Sequence, residues 1–200
     1  MATRDQILTA GRELLRSAGL RAITTNEIAR RARVSKKTLY GFFPTKDELI
    51  EEIVVSFMEG NLAHWDAILE RDVSAMDLIL SSLDFVGQFM PMVQSHLVSQ
   101  APYVSSALWT RIDEIRMKRL KKLKNLLAEA QKDGYFRADV NPDHWIFLLT
   151  GTIQSVVTPT VLLREGLSLI DVLDSLKSIY YEGLLTEKGR AYIAEKENQE

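Results

Sequence analysis

No cysteine occurs among the 200 residues. That absence excludes a disulfide framework, a thiolate nucleophile, an iron–sulfur cluster and every thiolate zinc site, and it fits a reducing compartment. Histidine is scarce, with His64, His96 and His144 scattered along the chain. No HExxH pair, Walker loop, nucleophile elbow or glycine-rich dinucleotide turn occurs, so the sequence predicts no enzyme, no bound metal and no cofactor. Long apolar runs are also missing. The least charged stretches, Phe85 to Thr110 and Trp145 to Leu163, are broken by Gln, Ser, Thr and Pro side chains that are costly in hydrocarbon, and no membrane span is expected. The residues after Met1 open an amphipathic pattern instead of an apolar leader, which predicts a cytoplasmic protein. Alternating β-branched runs and internal repeats are absent as well.

What is present is the composition of a folded chain: 46% hydrophobic and 26% charged residues exclude disorder and fibre. The net charge of −2 conceals an asymmetry. Residues 1–50 hold ten basic and five acidic side chains, a balance of +5, and the remaining 150 carry −7. A basic first quarter on an acidic body is the footprint of a small polyanion-binding module.

Apolar spacing and capping signals predict helices almost throughout. Thr3 and Gln6 have capping-box spacing ahead of Ile7, Leu14, Leu15 and Ala18, so a first helix covers 4–18, ended by Gly19 in a left-handed conformation. A second starts at Thr24 or Thr25, carries Ile28, Ala29 and Ala32, and stops near Arg33. Ser35 caps a third, with Leu39 and Phe42 or Phe43 as its buried side. After Pro44, Thr45 and Glu48 open a long helix through Leu49, Ile53 and Phe57 to about Leu69. Further starts are Ser74, Ser105 or Ser106, Asn141 before Pro142, and Ser168. Pro91 and Pro102 are expected to break the chain, and Gly134 and Gly166 to stop helices. Ile112 to Ala130 reads as one amphipathic helix, and the polar end from Lys188 to Glu200 is expected to fray. The class is all-α.

The pair Thr25–Ala32 and Ser35–Phe43, about three residues apart, is a helix-turn-helix. Ala29 is small at the close approach, Val34 fills the turn, and Leu39 anchors the second helix. The outward face of that helix offers Lys36, Lys37, Thr38, Tyr40 and Gly41. Lysine can donate to guanine O6 and N7, the hydroxyls to phosphate, and glycine admits close backbone approach. Lys36 and Lys37 are the expected base readers, and the Ser35 cap and the Thr25 helix start present amides to phosphate.

The segment TTNEIARRARVSKKTLYGFFPTKDEL, with ILTAGRELLRSAG before it, resembles the DNA-binding domain of TetR-family transcriptional regulators over residues 4–55. The resemblance implies that Thr25, Thr38, Tyr40 and Lys46 contact phosphate, that Lys36 and Lys37 face bases, and that Asn26 reaches a base edge. The tail GLLTEKGRAYI is loosely similar to the family's endings. Two positions depart. Arg33 stands where glycine is usual, and a left-handed backbone there costs about 1–2 kcal/mol, which a phosphate contact from Arg33 would offset. Phe42 replaces a tyrosine or histidine and cannot donate a hydrogen bond.

The expected organisation is a helix-turn-helix DNA-binding domain over 1–47 and a larger helical ligand-binding and dimerisation domain over 48–200. The stripe Leu169, Val172, Leu173, Leu176, Ile179, Tyr180 and Leu184, with the uncharged helix from Asn141, predicts a homodimer. Phe57, Trp65, Phe85, Phe89, Met92, Trp109 and Trp145, with Gln88, His96 and Gln154 as orienting groups, are candidates for an apolar or aromatic effector site. Core packing of the same aromatics, in a DNA-binding protein without an effector, is the alternative. The cations Arg116, Lys118, Arg119, Lys121, Lys122 and Lys124 read as a solvated helix face. A repressor released by a small molecule from a palindromic operator is the expected function.

Overall fold

The computed structural model describes residues 3–96 and 105–198. Among these, eleven α-helices follow one another: α1 (Arg4–Ala18), α2 (Thr25–Arg31), α3 (Lys36–Phe42), α4 (Lys46–Leu69), α5 (Ala75–His96), α6 (Ser106–Leu120), α7 (Leu123–Lys132), α8 (Pro142–Val156), α9 (Pro159–Glu165), α10 (Leu169–Leu176) and α11 (Glu187–Glu197). There is no strand among the described residues, and an isolated bridge joins Phe136 and Leu185.

Local chemistry explains most starts. The hydroxyls of Thr3, Thr24, Ser35, Ser74, Ser105, Thr158 and Ser168 each accept from a backbone amide three residues on, and Asn141 Oδ1 accepts from the Asp143 and His144 amides. Thr45 and Glu48 form the reciprocal box at α4, 3.1 and 3.3 Å. Gln6 does not complete its box; its Nε2 donates to the Ala32 carbonyl instead. Gly134 and Gly166 stop their helices at φ 77° and 64°.

One open choice is resolved and four readings need correction. The cap of α2 is Thr24, and Thr25 is its first residue. Gly19 has positive φ, 76°, but its ψ of −179° lies far from the left-handed helical well. Pro91 does not break the chain but lies inside α5; the carbonyl it orphans belongs to Gly87, which is exposed to water. The region Ile112–Ala130 is two helices, with a tight Lys122 amide to Arg119 carbonyl bond, 2.9 Å, between them. The tail does not fray throughout: α11 is capped by Thr186, and Tyr192 and Lys196 both donate to Asp77, 2.8 and 3.0 Å. Pro102 lies outside the described residues.

The chain divides into two compact units, Met1–Trp65 with Pro91–Ile115, and Asp66–Met90 with Arg116–Glu200. In the first, the core includes Ile7, Leu14, Leu15, Ile28, Leu39, Phe43, Leu49 and Ile53. Gly11 lets α1 and α4 meet closely: a β-carbon there would lie 2.4 Å from Ile53 Cδ1. In the second, Met76, Leu127, Ala130, Phe136, Tyr181 and Leu184 form the main cluster, with the Phe136 and Tyr181 rings edge to face at 5.6 Å. Met117, Leu149, Ile153 and Leu176 form a smaller cluster. Burial pushes the Tyr181 phenol up, with Glu182 and Asp84 adding to the effect.

Candidate nucleic-acid interface

Helices α2 and α3 are joined by a turn whose geometry the backbone fixes. The Val34 amide donates to the Ala29 carbonyl, 2.9 Å, and the Arg33 amide to Arg30, 3.2 Å. Arg33 takes φ 53°, the sole described non-glycine residue with positive φ. Gln6, reaching from α1 to the Ala32 carbonyl at 3.1 Å, braces this strained turn. Leu39 is fully buried and holds α3 against the first helices.

The opposite side of α3 is open. Lys36, Lys37, Tyr40 and Gly41 are exposed, as are Asn26, Arg33, Ser35 and Lys46, whereas Thr25 and Thr38 are half-buried. The hydroxyls of Ser35 and Thr38 lie 2.9 Å apart and cap the helix. Nothing lies within 4 Å of a β-carbon built on Gly41, so the helix's own packing does not require glycine there. Of the two phenylalanines, Phe43 is the buried one and Phe42 is 39% exposed at the end of α3.

The charges sort into two groups. Arg30 and Arg31 are committed to Glu27, at 2.6 and 2.7 Å, and hydrogen bonds from Arg30 and then Arg31 hold the Glu27 carboxyl down to about 2. Arg33, Lys36, Lys37 and Lys46 have no ion pair among the described residues. Exposed cations, hydroxyls and helix-start amides on and beside α3 are groups that phosphates and base edges of a duplex can engage.

Residues 7–53 match the profile of bacterial regulatory proteins of the tetR family. These residues carry the DNA-binding module of the TetR family. Over its length it is similar to the HTH-type transcriptional regulator YvaF of Bacillus subtilis, 23% identical over 92% of this chain and 96% of that one. It is 25% identical to the HTH-type transcriptional repressor KstR2 of Mycolicibacterium smegmatis, over 70% of each. Its fold is similar to that of a transcriptional regulator from Cytophaga hutchinsonii, with TM-score 0.72, 16% identity, and 91% and 98% of the two chains covered. The matched residues lie in the α1–α4 module that carries the open face.

The remaining candidates are distributed. Phe57, Trp65, Met92, His96 and Trp109 belong to the first unit, and Phe85, Gln88, Phe89, Trp145 and Gln154 to the second. Phe57, Trp65 and Phe89 are buried; Phe85 stacks on Phe89 at 5.4 Å. Trp145 donates its indole N–H to the Tyr180 carbonyl, 2.7 Å, and packs against both apolar clusters of its unit. His96 donates from Nε2 to the Arg16 carbonyl at the end of α1, 3.1 Å. The Trp65 indole nitrogen is buried and has no hydrogen-bond partner among the described residues.

The second basic cluster is largely committed internally. Arg119 and Lys122 converge on Asp66 at 3.0 and 2.7 Å, and Lys124 pairs with Asp143. For Asp66, burial works to raise the carboxyl, but the hydrogen bonds from Lys122 and Arg119 hold it below the usual range. No described helix alone is long and apolar enough to cross a membrane; α8 and α9 pass that test only as a pair bent by 66°. No cluster of metal-ligating side chains occurs among the described residues. Spacing gave no hint of Arg4, Glu52 and Arg111 and offered Gln6 only as a cap, because the contacts by which they brace the module span 26 to 60 residues.

Proposed function

We propose that the chain is a cytoplasmic homodimeric transcriptional repressor that reads a palindromic operator with α3 and releases it on binding a small apolar or aromatic molecule. The observation that carries the DNA-binding reading is the exposed face of α3, with Lys36, Lys37 and Tyr40 outward and Leu39 buried behind them. Residues 1–47 form the reading head, and 48–200 supply dimerisation and the effector response. A twofold dimer would set two such helices into successive major grooves on one side of the duplex.

Support for the dimer comes from the second unit. Phe147 and Leu148 on α8, Leu163 on α9, and Ile179 after α10 are 53–75% exposed. The stripe that begins on α10 is not uniform: Leu169, Leu176 and Leu184 are buried, and a π-helical segment, Lys177–Tyr181, turns Ile179 outward. A second copy of this apolar surface is its natural cover.

Support for the effector comes from Trp65, whose buried N–H is a donor that a ligand carbonyl or hydroxyl would satisfy. The bonded indole of Trp145 and the Phe85–Phe89 stack favour the second reading, a DNA-binding protein without an effector.

Selection of duplexes from a random-sequence library with the full chain tests the reading. Enrichment of a palindrome, lost on Lys37→Ala or Tyr40→Ala with the dimer intact, is the expected result. Failure to enrich any duplex would refute it. Thermal-shift screening of apolar and aromatic compounds, repeated on Trp65→Phe, separates the two readings, because a shift that the variant loses requires a ligand at the indole.

A further inference from the structure

Within the first compact unit, an unbroken series of contacts runs from α6 to the end of the reading helix. Arg111, in α6, donates from Nη1 to Glu51 Oε1 at 2.9 Å, and from Nη1 and Nη2 to Glu52 Oε1, both 3.1 Å. Both glutamates are on α4. The other oxygen of Glu52 accepts from Arg4, at the start of α1. The Arg4 guanidinium in turn lies 5.2 Å from the ring centroid of Phe43, the residue that closes α3. Phe43 is 2% exposed and anchored in the core. Burial alone would raise the Glu52 carboxyl, and the hydrogen bonds from Arg4 and Arg111 hold it below the ordinary glutamate range instead, so it stays charged.

The series has a mechanical sense. Only Phe43, Pro44 and Thr45 separate α3 from α4, so the direction of α3 follows that of α4 and of α1 beneath it. Next to Glu52, Ile53 sits against Gly11 with no room for a β-carbon. The apolar contact fixes how closely α1 and α4 approach. It leaves them free to roll, and the two-armed Glu52 carboxylate removes that freedom.

We infer that Arg111, Glu52 and Arg4 are positioning residues that hold the reading helix at its working angle, so that operator affinity depends on a side chain of α6 set 59 residues beyond its α4 partner Glu52. This rests on the DNA-binding reading above. The arginine side chains are 41–50% exposed and the glutamates 24–28%, so each pair is weak and easily undone, as a regulatory joint must be.

Simple charge counting predicts the opposite outcome for one variant, which makes the inference testable. Glu52→Gln removes a negative charge from a DNA-binding module, and electrostatic attraction alone would then tighten binding. The relay predicts weakening, by about 3- to 10-fold for the loss of two partly exposed pairs. Affinities are read by fluorescence anisotropy on a duplex selected with the wild-type chain, from about 50 to 200 mM salt. Arg111→Gln should also weaken binding without changing the salt slope, and Arg111→Lys should restore part of the loss. Loss of a phosphate contact would instead lower the slope by about 0.9. The double variant should bind no worse than Glu52→Gln alone.

Equal or tighter binding by Glu52→Gln would overturn the inference, as would an Arg111→Gln variant with unchanged affinity or a reduced slope. Circular dichroism and the thermal midpoint show that each variant is folded; if Glu52→Gln is not, the Arg111 pair of variants decides alone. A wild-type chain that enriches no duplex refutes the DNA-binding reading itself, an outcome distinct from a failed relay.

Discussion

Replacing Arg33 by glycine should make the protein more stable and a poorer DNA binder at once. Arg33 is held at φ 53° in the turn between α2 and α3. A side chain in this conformation costs about 1–2 kcal/mol. Glycine removes that strain but gives the unfolded chain more freedom, a loss of about 0.4–1 kcal/mol. The difference leaves a net gain of about 0–1.6 kcal/mol, centred on about 0.8, or about 2–3 °C in thermal midpoint at the centre for a chain of this size. The same change deletes a guanidinium with no internal ion pair, so the salt slope of operator binding should fall by about 0.9. Arg33→Ala separates the effects, because it loses the cation and keeps the strain: it should match glycine in DNA binding but gain no stability. A glycine variant that melts at or below the wild-type temperature, or keeps the full salt slope, would refute the strain argument or the phosphate contact respectively.

Three further outcomes follow from the second unit. Gly189→Ala places a β-carbon 2.4 Å from the Tyr135 carbonyl oxygen and 2.9 Å from Leu185 Cδ2; overpacking of this kind costs about 1–3 kcal/mol and should lower the thermal midpoint by roughly 2–10 °C. Phe147→Glu puts a charge on the most exposed large apolar side chain among the described residues; in sedimentation the wild type should run as the proposed dimer and the variant as a monomer. Asp77, which burial would raise, is held below the usual aspartate range by bonds from Ser74, Lys196 and Tyr192. Its stabilisation is therefore present above the ordinary aspartate value and lost as pH falls through the lowered one. Amide exchange in α11 should accelerate in acid by that route, and Asp77→Asn should remove the pH dependence.

Much of the head was legible because its signals are local. Ser35 caps α3 and Thr45 with Glu48 boxes α4 through contacts three residues apart, and the strained arginine shows only through the resemblance, which places glycine at that turn. Contacts between distant segments left no such trace. Nothing near Lys121 and Lys122 is a glycine, a proline or a capping residue, yet the helix breaks there while Arg119 and Lys122 both turn onto Asp66. Polar composition made the tail look loose, although Thr186, Gly189 and Tyr192 dock it onto Tyr135 and Asp77. His96 stands out in sequence because a charge-poor stretch surrounds it, whereas the contact of its ring with the Arg16 carbonyl spans 80 residues and leaves no local signal.

The Gly11 and Ile53 contact bears on how such a protein could be rebuilt. A sensor made by grafting a foreign head at residue 47 would join an α1 shaped for one partner to an α4 shaped for another, and a single methyl group at position 11 would collide with Ile53. The transplantable cassette therefore extends past Ile53, and a donor that brings Arg4 needs an acidic neighbour to receive it. Grafts cut inside the first turns of α4 should express as folded bodies carrying a misaligned reader.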